Sequence, residues 1–209
     1  MHLILASASP RRAELLRAAG YRFEIVVADV DESIRPGEAP STYVRRLAAE
    51  KSAAALKGCA ISGTGVARGS ASAVAQGFSA ADLVILGADT TVVVDGAILG
   101  KPRDDEDGRD MLRRLSGRTH EVLTGVSLRQ GAYEVGRVEV TAVIFRTLSD
   151  DELNWYVASG EGHDKAGGYA IQGLASRFIP RIDGSYSNVV GLPVACVAEL
   201  LPEIRQKAT

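Results

Sequence analysis

Residues 83–102 read LVILGADTTVVVDGAILGKP, and this stretch decides the fold. Leu83–Leu86 is a short apolar run of the kind that forms a buried strand. After it, Asp95-Gly96 is the dipeptide expected at a two-residue hairpin turn, with Ala97–Leu99 returning. A buried strand that continues into a hairpin does not belong to a purely parallel, doubly wound sheet.

Working outward, LILASASPRR at 3–12 gives a second buried strand, Leu3–Ala6, followed by a helix start. Ser9 is placed as N-cap and Pro10 at the first helical position, and Gly20 is placed to end the helix. YRFEIVVADVDE at 21–32 reads as a strand leading into an acidic turn. STYVRRLAAEKSAAALKG at 41–58 reads as an alanine-rich helix with Gly58 just past its end. Residues from about 58 to 82 are rich in Gly, Ala and Ser, a composition expected of a flexible insertion within one domain spanning 1–209.

Downstream, RDDEDGRDMLRRLSG at 103–117 is a helix with acids in its first turn and bases later, as the helix dipole prefers. Residues 119–149 give two long strands and DDELNWYVASG a short helix, and a closing helix runs through Leu200 and Leu201. Helices alternating with strands and hairpins predict an α/β fold, a mixed sheet flanked by helices.

Charge narrows the function. The chain has 24 Lys and Arg against 26 Asp and Glu in 209 residues, a net charge of −2. No general basic field exists for nucleic acid, and the Arg pairs 11–12, 45–46 and 113–114 are dispersed. No apolar run approaches membrane-spanning length, and the first residues lack the pattern of a signal peptide. Two distant cysteines, Cys59 and Cys196, match no metal or redox spacing. A cytoplasmic protein is expected.

Arg11 and Arg12 sit in the first turn of a helix, its positive end, where acids are preferred. One reading is a polyphosphate site, combining free backbone N–H groups with two guanidiniums. The alternative is a pair of solvated arginines. Asp89, just past the Leu83–Leu86 run, stands where α/β sheets bind ligands, or it forms a turn. The acidic pair Asp31-Glu32 is open to the same choice. Glu32 and Asp89 together would suit Mg²⁺, which takes one or two carboxylates plus substrate phosphates. Lys51, Lys101 and Lys165 each read as a solvated charge when taken singly, and gain weight only in company with the arginines.

Other features carry less. GTGVARG at 63–69 has the wrong spacing for a phosphate loop, and His2, His120 and His163 form no metal or triad pattern. Ser185 and Ser187 lack a recognisable base partner.

Together, SASPRR (7–12), the DE at 31–32, AAEK ending at Lys51, GADT (87–90), GKP (100–102), DKAGGYAIQG (164–173) and GSYSNVVGLP (184–193) resemble the Maf family of nucleoside triphosphate pyrophosphatases. The motifs stand in family order from residue 3 to residue 193, and only about 58–82 falls outside, longer than is usual there. The resemblance implies a twisted mixed sheet with two lobes around a central cleft, the Maf/Ham1-like or inosine triphosphatase-like fold. It implies cleavage between the α- and β-phosphates with Mg²⁺, Mn²⁺ or Co²⁺, and a homodimer. By carry-over, Asp89 activates water and binds metal with Glu32. Lys51 and Lys101 join the catalytic set, and Ser7, Arg11, Arg12, Thr90, Gln172 and Lys165 bind substrate.

Base preference follows from three places. The branch resembling dTTP and UTP pyrophosphatases has arginine after SP, threonine after the aspartate and glutamine in YxIQG, as Arg11, Thr90 and Gln172 stand here. The 7-methyl-GTP branch has tryptophan, glutamine and glutamate there. A glutamine amide both donates and accepts, which suits the carbonyl and N–H of a uracil or thymine edge. A methyl in an apolar pocket is worth only about 1–3 kcal/mol, so dTTP and UTP are both expected substrates, together with some modified pyrimidine triphosphates, in a house-cleaning role. The alternatives are a 7-methyl-GTP pyrophosphatase and a non-catalytic nucleotide-binding regulator of cell division.

Overall fold

A computed structural model describes residues 2–62 and 82–208. The strands are β1 (His2–Ala6), β2 (Phe23–Ile25), β3 (Leu83–Val94), β4 (Ala97–Leu99), β5 (Thr119–Gln130), β6 (Tyr133–Ile144) and β7 (Arg181–Asp183). The helices are α1 (Pro10–Ala18), α2 (Pro40–Ser62), α3 (Asp105–Leu115), α4 (Asp150–Ala158), α5 (Tyr186–Val190) and α6 (Val194–Ala208). The strands form one mixed sheet in the order β2-β1-β3-β5-β6-β7, with β4 also on β3. β1 pairs parallel with β2 and β3, and every other pairing is antiparallel. The expected mixed α/β sheet is therefore present. Asp95 (φ 51°) and Gly96 (φ 73°) make the hairpin turn between β3 and β4.

β3 is long enough to serve two cores on one face. Its first half puts Val84, Leu86 and Ala88 against Leu3 and Leu5 of β1, Leu16 of α1 and Val197 and Leu200 of α6. Its second half puts Val92 and Val94 against Leu112 and Leu115 of α3, and Leu153 and Tyr156 of α4. Each fully buried leucine adds about 1.5–3 kcal/mol. The cores meet at Asp89–Thr91, and there the cleft opens.

On the other face α2 lies unusually close to the sheet. A Cβ on Gly87 would stand 2.2 Å from the Ala48 carbonyl oxygen, and one on Gly125 would stand 2.2 Å from that of Val44. Glycine at these cross-strand sites lets the helix backbone touch the strands.

Some sequence expectations change. The strand expected across 21–32 shrinks to Phe23–Ile25, because β2 is, among the described residues, an edge strand paired only with β1 and 26–35 adopts no regular structure. Gly58 does not end α2, which continues to Ser62, because tertiary packing of the alanine-rich face outweighs one glycine. Of the expected insertion, Gly58–Ser62 thus belongs to this helix; residues 63–81, with GTGVARG, lie outside the described residues. Asp89 is not past the end of a strand or in a turn: it stands inside the twelve-residue β3.

Candidate active site

The cleft exists because one edge of β3 is left open. β1 pairs with β3 up to Gly87, and β4 begins pairing at Val92. Residues 88–91 between them have no strand neighbour on that edge among the described residues, while their other edge is fully paired to β5. The gap is a cleft of about 480 Å³ lined by the first turn of α1, Glu32, Lys51, Asp89–Val92, Lys101, Asp164–Ala166, Tyr169–Gln172 and Val189–Gly191. That volume falls within the range of small-molecule sites.

Arg12 fills part of the open edge. Its Nη1 donates to the Ala88 carbonyl at 2.8 Å and to Ser7 Oγ at 3.2 Å, its Nε to the Gly191 carbonyl at 2.8 Å, and its Nη2 to Thr90 Oγ1 at 3.1 Å. One guanidinium thus ties β1, β3 and the end of α5 together around the cleft. Burial pulls Arg12 below the ordinary arginine value, and the negative charge of Asp89 opposes this. Ser9 is the N-cap of α1 by position, with Pro10 following, but its side chain makes no capping bond. Ser7 Oγ instead accepts from the Ser9 N–H at 3.1 Å.

Alternation along β3 aims its side chains to both sides. Thr90 points toward Arg12 and also bonds Thr124 Oγ1 (2.9 Å) and the Gly191 carbonyl (3.2 Å). Asp89 points toward α2. There Lys51 Nζ donates to Asp89 Oδ1 at 2.6 Å and lies 2.6 Å from Glu32 Oε1. The two carboxylates expected to converge therefore do so, on one ammonium. Burial raises the Asp89 carboxyl above its ordinary value despite the opposing charges of Lys51 and Arg12. At Glu32 burial also acts upward, but the hydrogen bond and charge of Lys51, with Lys101 and Arg12, outweigh it and leave the carboxyl below its ordinary value. Two carboxylates at one cation position, beside an open cleft, fit a hard divalent ion whose remaining ligands come from other oxygens. Among the described residues, no group of three or more His, Cys, Asp or Glu is placed to hold a metal ion.

The remaining cations ring the cleft. Arg11 Nη1 lies 3.9 Å from Asp164 Oδ2, and Asp164 also pairs with Lys165. The Gly167 N–H donates to the Gly100 carbonyl at 2.9 Å, joining the Lys165 loop to the Lys101 loop. Gly167 has φ +70° and a Cβ there would stand 2.8 Å from Val92 Cγ2, so this junction admits only glycine. Lys101 and Gln172 are exposed at the rim. The structure brings Ser7, Arg11, Arg12, Glu32, Lys51, Asp89, Thr90, Lys101, Lys165 and Gln172 to one cleft.

Tyr43 is a cleft residue that no motif marks. Its hydroxyl donates to the Glu32 carbonyl at 3.0 Å, holding the irregular segment that carries Glu32. Burial, with the nearby charges of Asp89 and Glu32, pushes the phenol up to about 12, so it remains a donor. Its only signal in the sequence is helical spacing: Tyr43, Leu47 and Lys51 share one face of α2. Outside the cleft edge, Ser185 caps α5 by accepting from the Asn188 N–H, and His120 is buried against the Tyr169 hydroxyl at 2.8 Å.

The sequence has known relatives. The family model described as Maf-like protein matches residues 2–204. A dTTP/UTP pyrophosphatase of Hahella chejuensis is 48% identical over 201 residues, covering 96% of this chain and 91% of the relative. Proteins of the same name from Syntrophus aciditrophicus and Escherichia coli O157:H7 are 46% and 47% identical, covering 97% and 95% of this chain and 89% and 91% of theirs. No helix among the described residues is long and apolar enough to cross a membrane.

Proposed function

Because the chain belongs to the Maf family, we infer that it hydrolyses dTTP and UTP to the monophosphate and pyrophosphate. The observation that carries the chemistry is the placement of Asp89: a buried carboxylate on an open strand edge, beside Lys51 and Glu32 and facing a ring of cations. Its relatives at 46–48% identity bear that activity in their names.

Reaction at a polyphosphate depends on positioning and charge neutralisation. Arg11, Lys101 and Lys165 neutralise the triphosphate, while Arg12 holds the cleft walls and contributes its charge from behind. Asp89 orients water and takes its proton. The water oxygen bonds to phosphorus, the bridging α–β P–O bond breaks, and pyrophosphate leaves into the cationic rim. Lys51 opposes the burial that favours protonation of Asp89 and holds the carboxylate aimed. Glu32 and Asp89 would hold a divalent cation (Mg²⁺, Mn²⁺ or Co²⁺), which when bound supplies further neutralisation of phosphate oxygens. Gln172 reads the base edge beside Thr90 and Arg11. The family resemblance supports a cytoplasmic homodimer of single-domain chains, and the lack of a general basic field speaks against nucleic acid. The substrates are then free nucleotides, with neither nucleic acid nor membrane as a partner.

Pyrophosphate release across a panel of triphosphates tests it. With Mg²⁺, dTTP and UTP are turned over and 7-methyl-GTP is not, and a chelator stops the reaction. Nucleotide binding without turnover of any member would instead favour a regulator.

A further inference from the structure

Gln172 sits at the tip of a turn whose two ends are fastened to one device outside the cleft. The Gly173 N–H donates to the Ala170 carbonyl at 3.1 Å, which closes the turn and puts Ile171 and Gln172 at its centre. The Ala170 N–H, at the entry, donates to the Tyr156 hydroxyl at 3.1 Å. That hydroxyl donates to Glu161 Oε2 at 2.7 Å. At the exit, the Leu174 N–H donates to Glu161 Oε1 at 2.8 Å and the Ala175 N–H to Oε2 at 3.4 Å.

The fit around this carboxylate is tight. A Cβ on Gly173 would stand 2.0 Å from Glu161 Oε1, and one on Gly162 would stand 2.2 Å from the Gly168 carbonyl oxygen. Burial, and then the bond to Glu161, push the Tyr156 phenol far above its ordinary value, so the hydroxyl is a permanent donor. Glu161 and Tyr156 are not among the residues that line the cleft.

We propose that Glu161, acting with Tyr156, is a positioning residue for base discrimination: it fixes both ends of the 170–174 turn and so sets where the Gln172 amide meets the nucleobase. This rests on Gln172 being the group that reads the base. Uracil offers that amide a carbonyl and an N–H, whereas cytosine offers an amino group and a bare ring nitrogen, the reversed pattern. The amide can turn over about its own terminal bond, so selectivity depends on where the turn holds it. Held in one place it meets the uracil edge, and a turn free to shift lets the reversed amide settle against cytosine as well. Rigid placement is thus worth more to selectivity than to rate.

The test compares kcat and KM for UTP and CTP in wild type, Tyr156→Phe, Glu161→Gln, Gln172→Ala and the Tyr156→Phe/Gln172→Ala double variant. Tyr156→Phe removes one oxygen without changing packing, and thermal melting verifies that each variant is folded. Each clamp variant is expected to lower the UTP-over-CTP ratio about tenfold, through KM, with kcat for UTP within about twofold of wild type. The double variant is expected to be no less selective than Gln172→Ala alone, because the clamp acts only through that amide. If Gln172→Ala loses selectivity while the folded clamp variants keep it, or lose rate equally on both nucleotides, the clamp role is wrong. If Gln172→Ala itself keeps the wild-type ratio, the assignment of base reading to Gln172 falls, and the clamp proposal with it.

Discussion

Lys51 Nζ lies 2.6 Å from Asp89 Oδ1 across a helix–sheet contact that leaves no room for a side chain at Gly87. The pair depends on that closeness. α2 rests on Gly87 and Gly125, two and zero positions from the strand site of Asp89, since Gly125 is its partner on β5. An ordinary helix–sheet separation would leave Lys51 and Asp89 further apart. The glycines are therefore part of the site although they touch no substrate.

Alanine at either glycine is expected to push α2 away. Overpacking of this kind costs about 1–3 kcal/mol, and here it also separates Lys51 from Asp89. Gly87→Ala and Gly125→Ala should lower both the melting temperature and turnover. Gly58 is the control: it lies inside α2, and a Cβ added there would meet nothing within 4 Å among the described residues. Gly58→Ala should raise stability by roughly 0.5–1 kcal/mol, the helix-interior difference between the two residues. A loss of stability there would mean that the helix ends at Gly58.

The two arginines of SPRR are expected to behave differently. Arg12 is buried and satisfies Ser7, Ala88, Thr90 and Gly191, so Arg12→Ala leaves acceptors unpaired. Unfolding in urea should reveal a loss on the order of 2–3 kcal/mol. Arg11 makes one long ion pair, at 3.9 Å. Its replacement by alanine should change stability by no more than about 0.5 kcal/mol and raise KM for the nucleotide. Equal effects in both assays would show that the pair shares one role.

His120 predicts an acid limit to stability. Burial lowers its pKa from 6.5 to about 4. Between those values the unfolded chain binds a proton that the folded chain refuses, so stability falls as pH drops through this window. The full effect is on the order of 3 kcal/mol. Melting curves for wild type and His120→Gln from pH 7 to pH 4 should converge as pH falls, and parallel curves would exclude His120 as the cause.

Much of the fold and site is legible in local sequence, and the remainder has identifiable reasons. Ser9-Pro10, Asp95-Gly96 and the acidic start of α3 signal their structures through neighbours in the chain, and all three appear where expected. The convergence of Glu32 and Asp89 is not local: it requires α2 to reach the sheet, which the sequence marks only as glycines in strands. Asp89 looks terminal because Gly87 and Ala88 weaken the strand pattern, yet they are the small residues that let α2 and Arg12 approach. The role of Glu161 is invisible beforehand because its carboxylate bonds two backbone amides and a tyrosine five residues earlier, none of which belongs to a motif.

The most direct measurement is pyrophosphate release from dTTP with Mg²⁺ by wild type and Asp89→Asn, alongside calorimetric binding of dTTP to each. Asparagine keeps the shape of Asp89 but cannot take a proton from water. Turnover should fall by about 10²–10⁴-fold, with the nucleotide still bound and the fold intact. Turnover within a few fold of wild type in the folded variant would contradict the assignment of Asp89 as the base.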